Sequence, residues 1–199
     1  MISSPELGLN INDPRYKFVI DCMEKFDSLI TDPAFPDNDW KNYLDIDSFV
    51  DYILLNEVVL NYELDHPKSV FMCKRGDKTG MSHLWDFDWA FGTHHGGMLI
   101  EMASAKWEFT GGHIFSLFFK DKEFTARYKA RWAEKYEELL SMTDFMTATA
   151  EKLLEPMKRD YDRWYKGTEN QFNYVKEITN LISWWDTRVR FLNTVISKR

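Results

Sequence analysis

The sequence predicts an α+β fold that is mostly helical and carries one β-hairpin. Apolar residues recur at three- and four-residue spacing through most of the chain, which is typical of helices that bury one face. Two short runs, 70–74 and 81–88, are instead rich in β-branched and aromatic residues. A length of 199 residues is typical of one domain, and an aromatic content of 16% is enough to build a sizeable core.

Composition excludes several classes of function. The net charge of −7 argues against nucleic acid or an anionic membrane surface as a partner, because both require a basic patch. No run reaches the roughly 18 apolar residues of a transmembrane segment. Cys22 and Cys73 are too few for a disulfide framework or a zinc cluster, and we expect two buried thiols. The first five residues lack the basic and apolar parts of an export signal.

The N-terminal half predicts an irregular arm over residues 1–12 followed by two helices. Asp13 before Pro14 marks the start of the first helix, and 31–33 marks its end. Asp45 or Asp47 caps a second helix that runs to Asn61. Glu57 lies on this helix, and its position is compatible with a capped or solvated acid as well as with a site residue.

The C-terminal half predicts helices separated by short breaks. A short helix ends at Lys120–Asp121, and a longer one follows. Thr143 or Asp144 caps a third helix, which Pro156 kinks or divides. A last helix follows the stop at 166–168. The expected inward residues of the third and last helices are Met146, Ala150, Leu153, Met157, Val175, Ile178, Ile182, Trp185, Val189, Leu192 and Ile196.

The hairpin is the stretch in which chemically useful residues gather. Its two runs are joined by a polar connection at 75–80 that contains two glycines. Pairing of the runs brings the start of the first opposite the end of the second. We therefore expect a mouth at which polar residues from both sides meet. The residues at this mouth are Glu63, Lys68, Ser69, Asp86 and Asp88.

The spacing Asp86-Phe87-Asp88 predicts a metal site. In a strand, residues two apart point to the same face, so both carboxylates share one side. Trp85, Phe87 and Trp89 then point to the core. Paired carboxylates suit hard divalent ions such as Mg²⁺ or Mn²⁺. A pair of solvated acids on an edge strand is the alternative.

Other metal sites and other catalytic motifs have less support in the sequence. His94 and His95 in a glycine-containing loop invite a metal hypothesis but need further ligands, and the glycine content of residues 93–112 predicts a mobile loop. Paired carboxylates also occur in glycosidases, although nothing else here indicates a carbohydrate cleft. No nucleophile elbow, P-loop, dinucleotide fingerprint or zinc-protease motif is present.

Several motifs together resemble the CotH kinase family of atypical protein kinases. The core is W-D-F-D-W-A-F-G at 85–92, preceded by N-E-x-x-x-N at 56–61 and K-S-V-F-M-C-K at 68–74. Further similarity covers Tyr43–Glu57, Phe119–Trp132 and Trp184–Leu192. The resemblance thus extends over most of the chain.

The resemblance implies transfer of phosphate from ATP, with Mg²⁺ or Mn²⁺, to Ser or Thr of a protein. By position, Glu63 matches the catalytic acid, which is usually Asp in the family. Ser69 matches a metal-binding residue that is usually Asn. Asp86 holds the nucleotide's metal with Asp88 beside it, and Lys68 neutralises the transferring group.

The resemblance to the CotH kinase family also implies a single domain over 1–199 that is equivalent to a protein-kinase C-lobe, with the W-D-F-D motif on the hairpin. No N-lobe, strand-borne nucleotide lysine or glycine-rich phosphate loop is found in the sequence. Family members of the spore-coat type imply a secreted or cell-surface location. The alternative is a non-catalytic, pseudokinase-like module for protein binding or coat assembly.

Overall fold

The computed structural model describes residues 12–61, 69–94, 97–98, 103–104, 114–168 and 171–198. The described chain is mainly helical. Its elements in order are α1 (Pro14–Thr31), α2 (Trp40–Tyr43), α3 (Ile46–Val59), β1 (Met72–Arg75), β2 (Lys78–Met81), β3 (Thr93–His94), β4 (Gly97–Met98), α4 (Ile114–Phe118), α5 (Lys122–Trp164) and α6 (Tyr174–Ile196). The predicted α+β class is confirmed at this level. The irregular arm expected over 1–12 lies outside the described residues except for Asn12.

Helix α3 is the centre of the core. It is apolar around most of its circumference, and Phe49, Val50 and Ile53 are completely buried. A helix with this pattern has to be covered on several sides. Helices α5 and α6 and strand β2 all pack against it. The two ends of α3 are thereby fixed by different parts of the chain.

The hairpin is confirmed, although it is shorter than predicted. Antiparallel pairing runs from Met72–Met81 to Arg75–Lys78, so the connection is only Gly76-Asp77 rather than 75–80. Gly76 has a φ of 57°, a conformation that glycine adopts at little cost in tight hairpin turns.

The hairpin is attached to the start of α3. The Asp45 amide donates to the Thr79 carbonyl at 2.9 Å, and the Met81 amide donates to the Ser48 hydroxyl at 3.0 Å. Asp45 also caps α3, because its carboxylate accepts a hydrogen bond from the Ser48 amide at 3.4 Å. Of the two predicted caps, Asp45 is therefore the correct one.

Helix α5 corrects the prediction for the C-terminal half. It runs without interruption over 43 residues, and Pro156 lies inside it. Thr143 does not cap a new helix, since its hydroxyl donates back to the Leu140 carbonyl at 3.2 Å. The expected break at Lys120–Asp121 is confirmed, with Asp121 as the N-cap of α5.

Helices α5 and α6 form an antiparallel pair. Three hydrogen bonds set their alignment: Trp132 Nε1 to Asn193 Oδ1 at 2.9 Å, Trp185 Nε1 to the Leu139 carbonyl at 2.7 Å, and the Tyr174 hydroxyl to the Ala150 carbonyl at 2.9 Å. Because α6 begins level with Ala150, the last part of α5 extends beyond it.

Some residues predicted to point inward are exposed, and the overhang of α5 accounts for those on that helix. Leu153 and Met157 of α5 are 44% and 40% exposed, and Val175 at the start of α6 is 68% exposed. Cys22 and Cys73 are free thiols as expected, but they are half-buried rather than buried.

The Asp121 carboxylate is expected to make a pH-dependent contribution to the free energy of unfolding. Burial alone would raise the pKa of its carboxyl. The Lys41 ammonium at 2.8 Å and the Phe124 amide at 2.8 Å outweigh burial and hold that pKa below its usual 3.8. A lowered pKa in the folded state contributes stability above the unfolded pKa, and this is lost as pH falls through the folded value.

We therefore expect Asp121→Asn, which preserves the N-cap, to lower the free energy of unfolding by about 1–2 kcal/mol at about pH 7. The deficit should shrink as pH falls below the ordinary carboxyl pKa. Urea unfolding of both proteins over a pH series measures this. An equal deficit at all pH values would show that the charge is not the cause.

Candidate functional site

The N-E-x-x-x-N motif at 56–61 forms a buried polar end to α3. Leu60 ends the helix in the left-handed region with a φ of 52°. The Asn61 amide then donates to the Asn56 carbonyl at 3.0 Å, and Asn61 Nδ2 donates to Asn56 Oδ1 at 2.9 Å. Asn56 Nδ2 donates in turn to the Tyr52 carbonyl at 2.8 Å. The direction in which the chain leaves α3 is therefore defined by paired amides.

Glu57, the second residue of this motif, is 1% exposed. The solvated interpretation of Glu57 is thus wrong. Its carboxylate accepts a hydrogen bond from the hydroxyl of Tyr128 on α5, which is fully buried. Its main-chain carbonyl accepts from Arg188 on α6, with Nη2 at 2.7 Å and Nε at 3.2 Å. Burial of these groups could not be recognised from the sequence, because the partners lie 71 and 131 residues away.

The W-D-F-D segment does not continue the hairpin. The last pairing contact is the Ser82 amide donating to the Phe71 carbonyl at 2.9 Å, and residues 82–87 form no strand. Asp86 has a φ of 63°, which no strand residue adopts. Asp86 and Asp88 therefore do not share a face through strand alternation. Both are nevertheless exposed to solvent.

The aromatic neighbours of these acids also differ from the prediction. Trp85 is 57% exposed, so it does not point into the core. Phe87 does pack against the core, and Trp89 is half-buried. The period-two pattern of large residues here comes from a non-repetitive turn and not from a strand.

Phe91 anchors the segment to the end of α3. Its amide donates to the Val59 carbonyl at 2.6 Å, and its φ of 57° is again left-handed. Its ring lies 5.9 Å from that of Trp184 and 6.3 Å from that of Trp185, both on α6. The carboxylates of the segment are thus carried on a backbone that is attached within two residues of Asn61.

An aromatic cluster lies beside the acids. The rings of Phe71 and His83 stack at 4.3 Å between centroids, and the Trp85 ring meets them edge-on at 6.0 and 6.3 Å. His83 and Trp85 are exposed. The cluster presents exposed aromatic rings one to three residues before Asp86, which the sequence alone did not indicate.

The structure describes some of the predicted site residues and leaves others outside the described ranges. Glu63 and Lys68 lie outside the described residues, as does His95. Ser69 is described and half-buried, and it precedes β1 by three positions. Asp86 and Asp88 follow β2. The meeting of these groups at one mouth remains a prediction.

The chemistry of the available donors fits a hard divalent cation. Asp86 and Asp88 are exposed carboxylates, and Ser69 adds a hydroxyl, which are the oxygen ligands that Mg²⁺ prefers. Within the described ranges, no three His, Cys, Asp or Glu side chains gather closely enough to hold a metal by themselves. Two carboxylates and a hydroxyl leave coordination positions open for other ligands.

Comparison with known proteins supports the resemblance. The family model described as CotH kinase protein matches residues 8–192. No curated protein and no solved structure matches the chain. In the part of the chain that the structure describes, no helix is both long and apolar enough to cross a membrane.

Proposed function

The chain belongs to the CotH kinase protein family, and from this premise we propose that it binds a metal–ATP complex and transfers phosphate to Ser or Thr of a protein. The observation that carries the proposal is the placement of Asp86 and Asp88. Both carboxylates are exposed and lie on a segment that Phe91 fastens to the end of α3. The buried end of α3 leads directly into the residues that the family resemblance assigns to catalysis.

Each residue has a role in this proposal. Asp86 and Asp88, with Ser69, hold Mg²⁺ or Mn²⁺. Glu63 accepts the proton of the acceptor hydroxyl, and Lys68 neutralises charge on the phosphoryl group. The cation, when bound, offsets the negative charge of the phosphates. The exposed Trp85 ring and its neighbours provide a surface on which an adenine base can stack.

Asp86→Asn tests the proposal at its most specific point. Asn tolerates the left-handed conformation of residue 86 about as well as Asp does, so the backbone is preserved while the charge is removed. We expect the affinity for MgATP and MnATP to fall about tenfold or more, corresponding to one lost charge–metal contact. Thermal stability should change little, because the residue is exposed.

Isothermal titration of MgATP and MnATP into wild type and variant measures this effect. The matched control is Asp77→Asn, which removes an exposed acid from the hairpin turn. Equal affinity of Asp86→Asn and wild type would contradict the assignment of Asp86. Transfer of radiolabelled phosphate to a mixed protein substrate then tests the catalytic step.

A non-catalytic binding or coat-assembly module is the second candidate. The observation that favours it is the apolar surface on the far part of α5, where Leu153, Met157 and Trp164 are all at least 40% exposed. Absence of MgATP and MnATP binding by wild-type protein would favour this module over the kinase. A secreted or cell-surface location, which the family implies, is part of both proposals.

A further inference from the structure

Arg188 is a buried cation to which the proposed reaction assigns no role. It lies on α6 and is completely inaccessible to solvent. Burial of a guanidinium is costly unless its donors are all used. A residue needed only for packing would be apolar at this position. The hydrogen bonds of Arg188 therefore indicate what it does.

These bonds connect two separate stretches of chain. Nη2 and Nε both donate to the Glu57 carbonyl, at 2.7 and 3.2 Å. Nη1 donates to the Ala103 carbonyl at 3.4 Å. Glu57 lies one turn before Asn61, where the chain leaves α3 toward Glu63 and Lys68. Ala103 lies in the chain that follows the W-D-F-D-W-A-F-G segment.

The same helix also contacts that segment directly. Trp184, one turn before Arg188 on α6, meets the Phe91 ring at 5.9 Å between centroids. Tyr128 of α5 meanwhile holds the Glu57 side chain. Helix α6 thus contacts the chain on both sides of the proposed site, and Glu57 is the point at which α3, α5 and α6 meet.

We propose that Arg188 is a positioning residue that fixes the end of α3 relative to the chain that follows the W-D-F-D-W-A-F-G segment, while Trp184 of the same helix holds the segment itself. This role rests on the proposed function in one respect: the chain after α3 carries Glu63, and the segment that packs against α6 carries Asp86 and Asp88. Arginine suits this role because its planar fork donates in several fixed directions. Lysine at this position supplies donors from one nitrogen only and cannot reach both carbonyls in the same way.

Arg188→Lys and Tyr128→Phe test the alignment without removing much volume. The matched control is Arg190→Lys, because Arg190 lies on the same helix but is exposed and pairs with Asp186. Hydrogen exchange is measured without nucleotide at the Asn61 and Phe91 amides, which donate to carbonyls at the end of α3. MgATP affinity is measured separately.

We expect exchange at Asn61 and Phe91 to accelerate about tenfold in Arg188→Lys, and less in Tyr128→Phe, as one or two hydrogen bonds are lost. Protection in the middle of α5 should stay at the wild-type level. MgATP affinity should fall about tenfold as well, although residue 188 is buried away from solvent. Arg190→Lys should change neither quantity.

Unchanged exchange at Asn61 and Phe91 in Arg188→Lys would overturn the positioning role. Equal acceleration in all helices would also overturn it, because Arg188 would then be a general core residue. If wild-type protein binds no MgATP, the proposed function fails on that result alone. The exchange data still decide whether Arg188 aligns the two segments.

Discussion

Trp40→Ala is expected to lower the free energy of unfolding by about 3–5 kcal/mol. Trp40 is completely buried although it belongs to the four-residue helix α2. Its ring lies 5.5 Å from Phe35 and 5.4 Å from Phe118, and its Nε1 donates to the Pro36 carbonyl at 3.1 Å. The change removes the largest side chain of this cluster and leaves a cavity that the short α2 cannot fill.

Urea unfolding followed by circular dichroism measures this loss. Trp164→Ala is the matched control, because the same chemical change is made at a side chain that is 63% exposed on α5. The control should stay within about 0.5 kcal/mol of wild type. Similar losses for the two variants would mean that the cluster around Trp40 does not contribute to the core as described.

Gly80→Ala is expected to cost about 1–3 kcal/mol and to displace the hairpin from α3. A Cβ at this position would lie 2.6 Å from Ser48 Oγ and 3.1 Å from Asp45 Cβ. Ser48 cannot turn away without loss, because its hydroxyl donates to the Asp45 carbonyl at 2.7 Å and accepts from the Met81 amide. Since Asp86 and Asp88 lie only five and seven residues after the end of β2, MgATP affinity should fall together with stability.

A double-mutant cycle with Ser48→Ala identifies the cause. Removal of the hydroxyl relieves the closest contact, so Gly80→Ala should cost clearly less in the Ser48→Ala background than in wild type. The free energy of unfolding of the four proteins provides the coupling. Additive effects would show that the contact between residues 48 and 80 is not what requires glycine.

Features that depend on neighbouring residues were predictable from the sequence. Asp13 caps α1, and its carboxylate accepts from the Arg15 amide at 2.8 Å as the Asp-Pro signal indicates. The hairpin was recognisable because a glycine-containing polar turn separates two apolar runs. In both cases the determining contacts lie within a few residues along the chain.

The conformation of the W-D-F-D segment was not predictable in the same way. Alternation of large and acidic residues is typical of a strand, and it led to the wrong orientation for Trp85. The segment is instead shaped by the Phe91 amide at the Val59 carbonyl, a contact across 32 residues. Left-handed conformations at Asp86 and Phe91 have no signal in a pattern of hydrophobicity.

Burial of Glu57 and Arg188 was missed for a related reason. Charged residues on helices are usually solvated, and only the three-dimensional meeting of α3, α5 and α6 shows otherwise. The N-E-x-x-x-N motif was recognised as part of the family resemblance. The contacts that this motif makes, namely paired amides and a buried acid, are visible only in the three-dimensional structure.

The unequal lengths of α5 and α6 have a practical consequence. Residues 151–164 of α5 continue past the Tyr174–Ala150 contact for about 20 Å, whereas Phe91, on the segment that carries the acids, packs against Trp185, which is level with Leu139 of α5. The exposed turn at 165–168 beyond them is therefore a convenient attachment point. A fluorophore or an immobilising tag placed there would leave nucleotide titrations undisturbed.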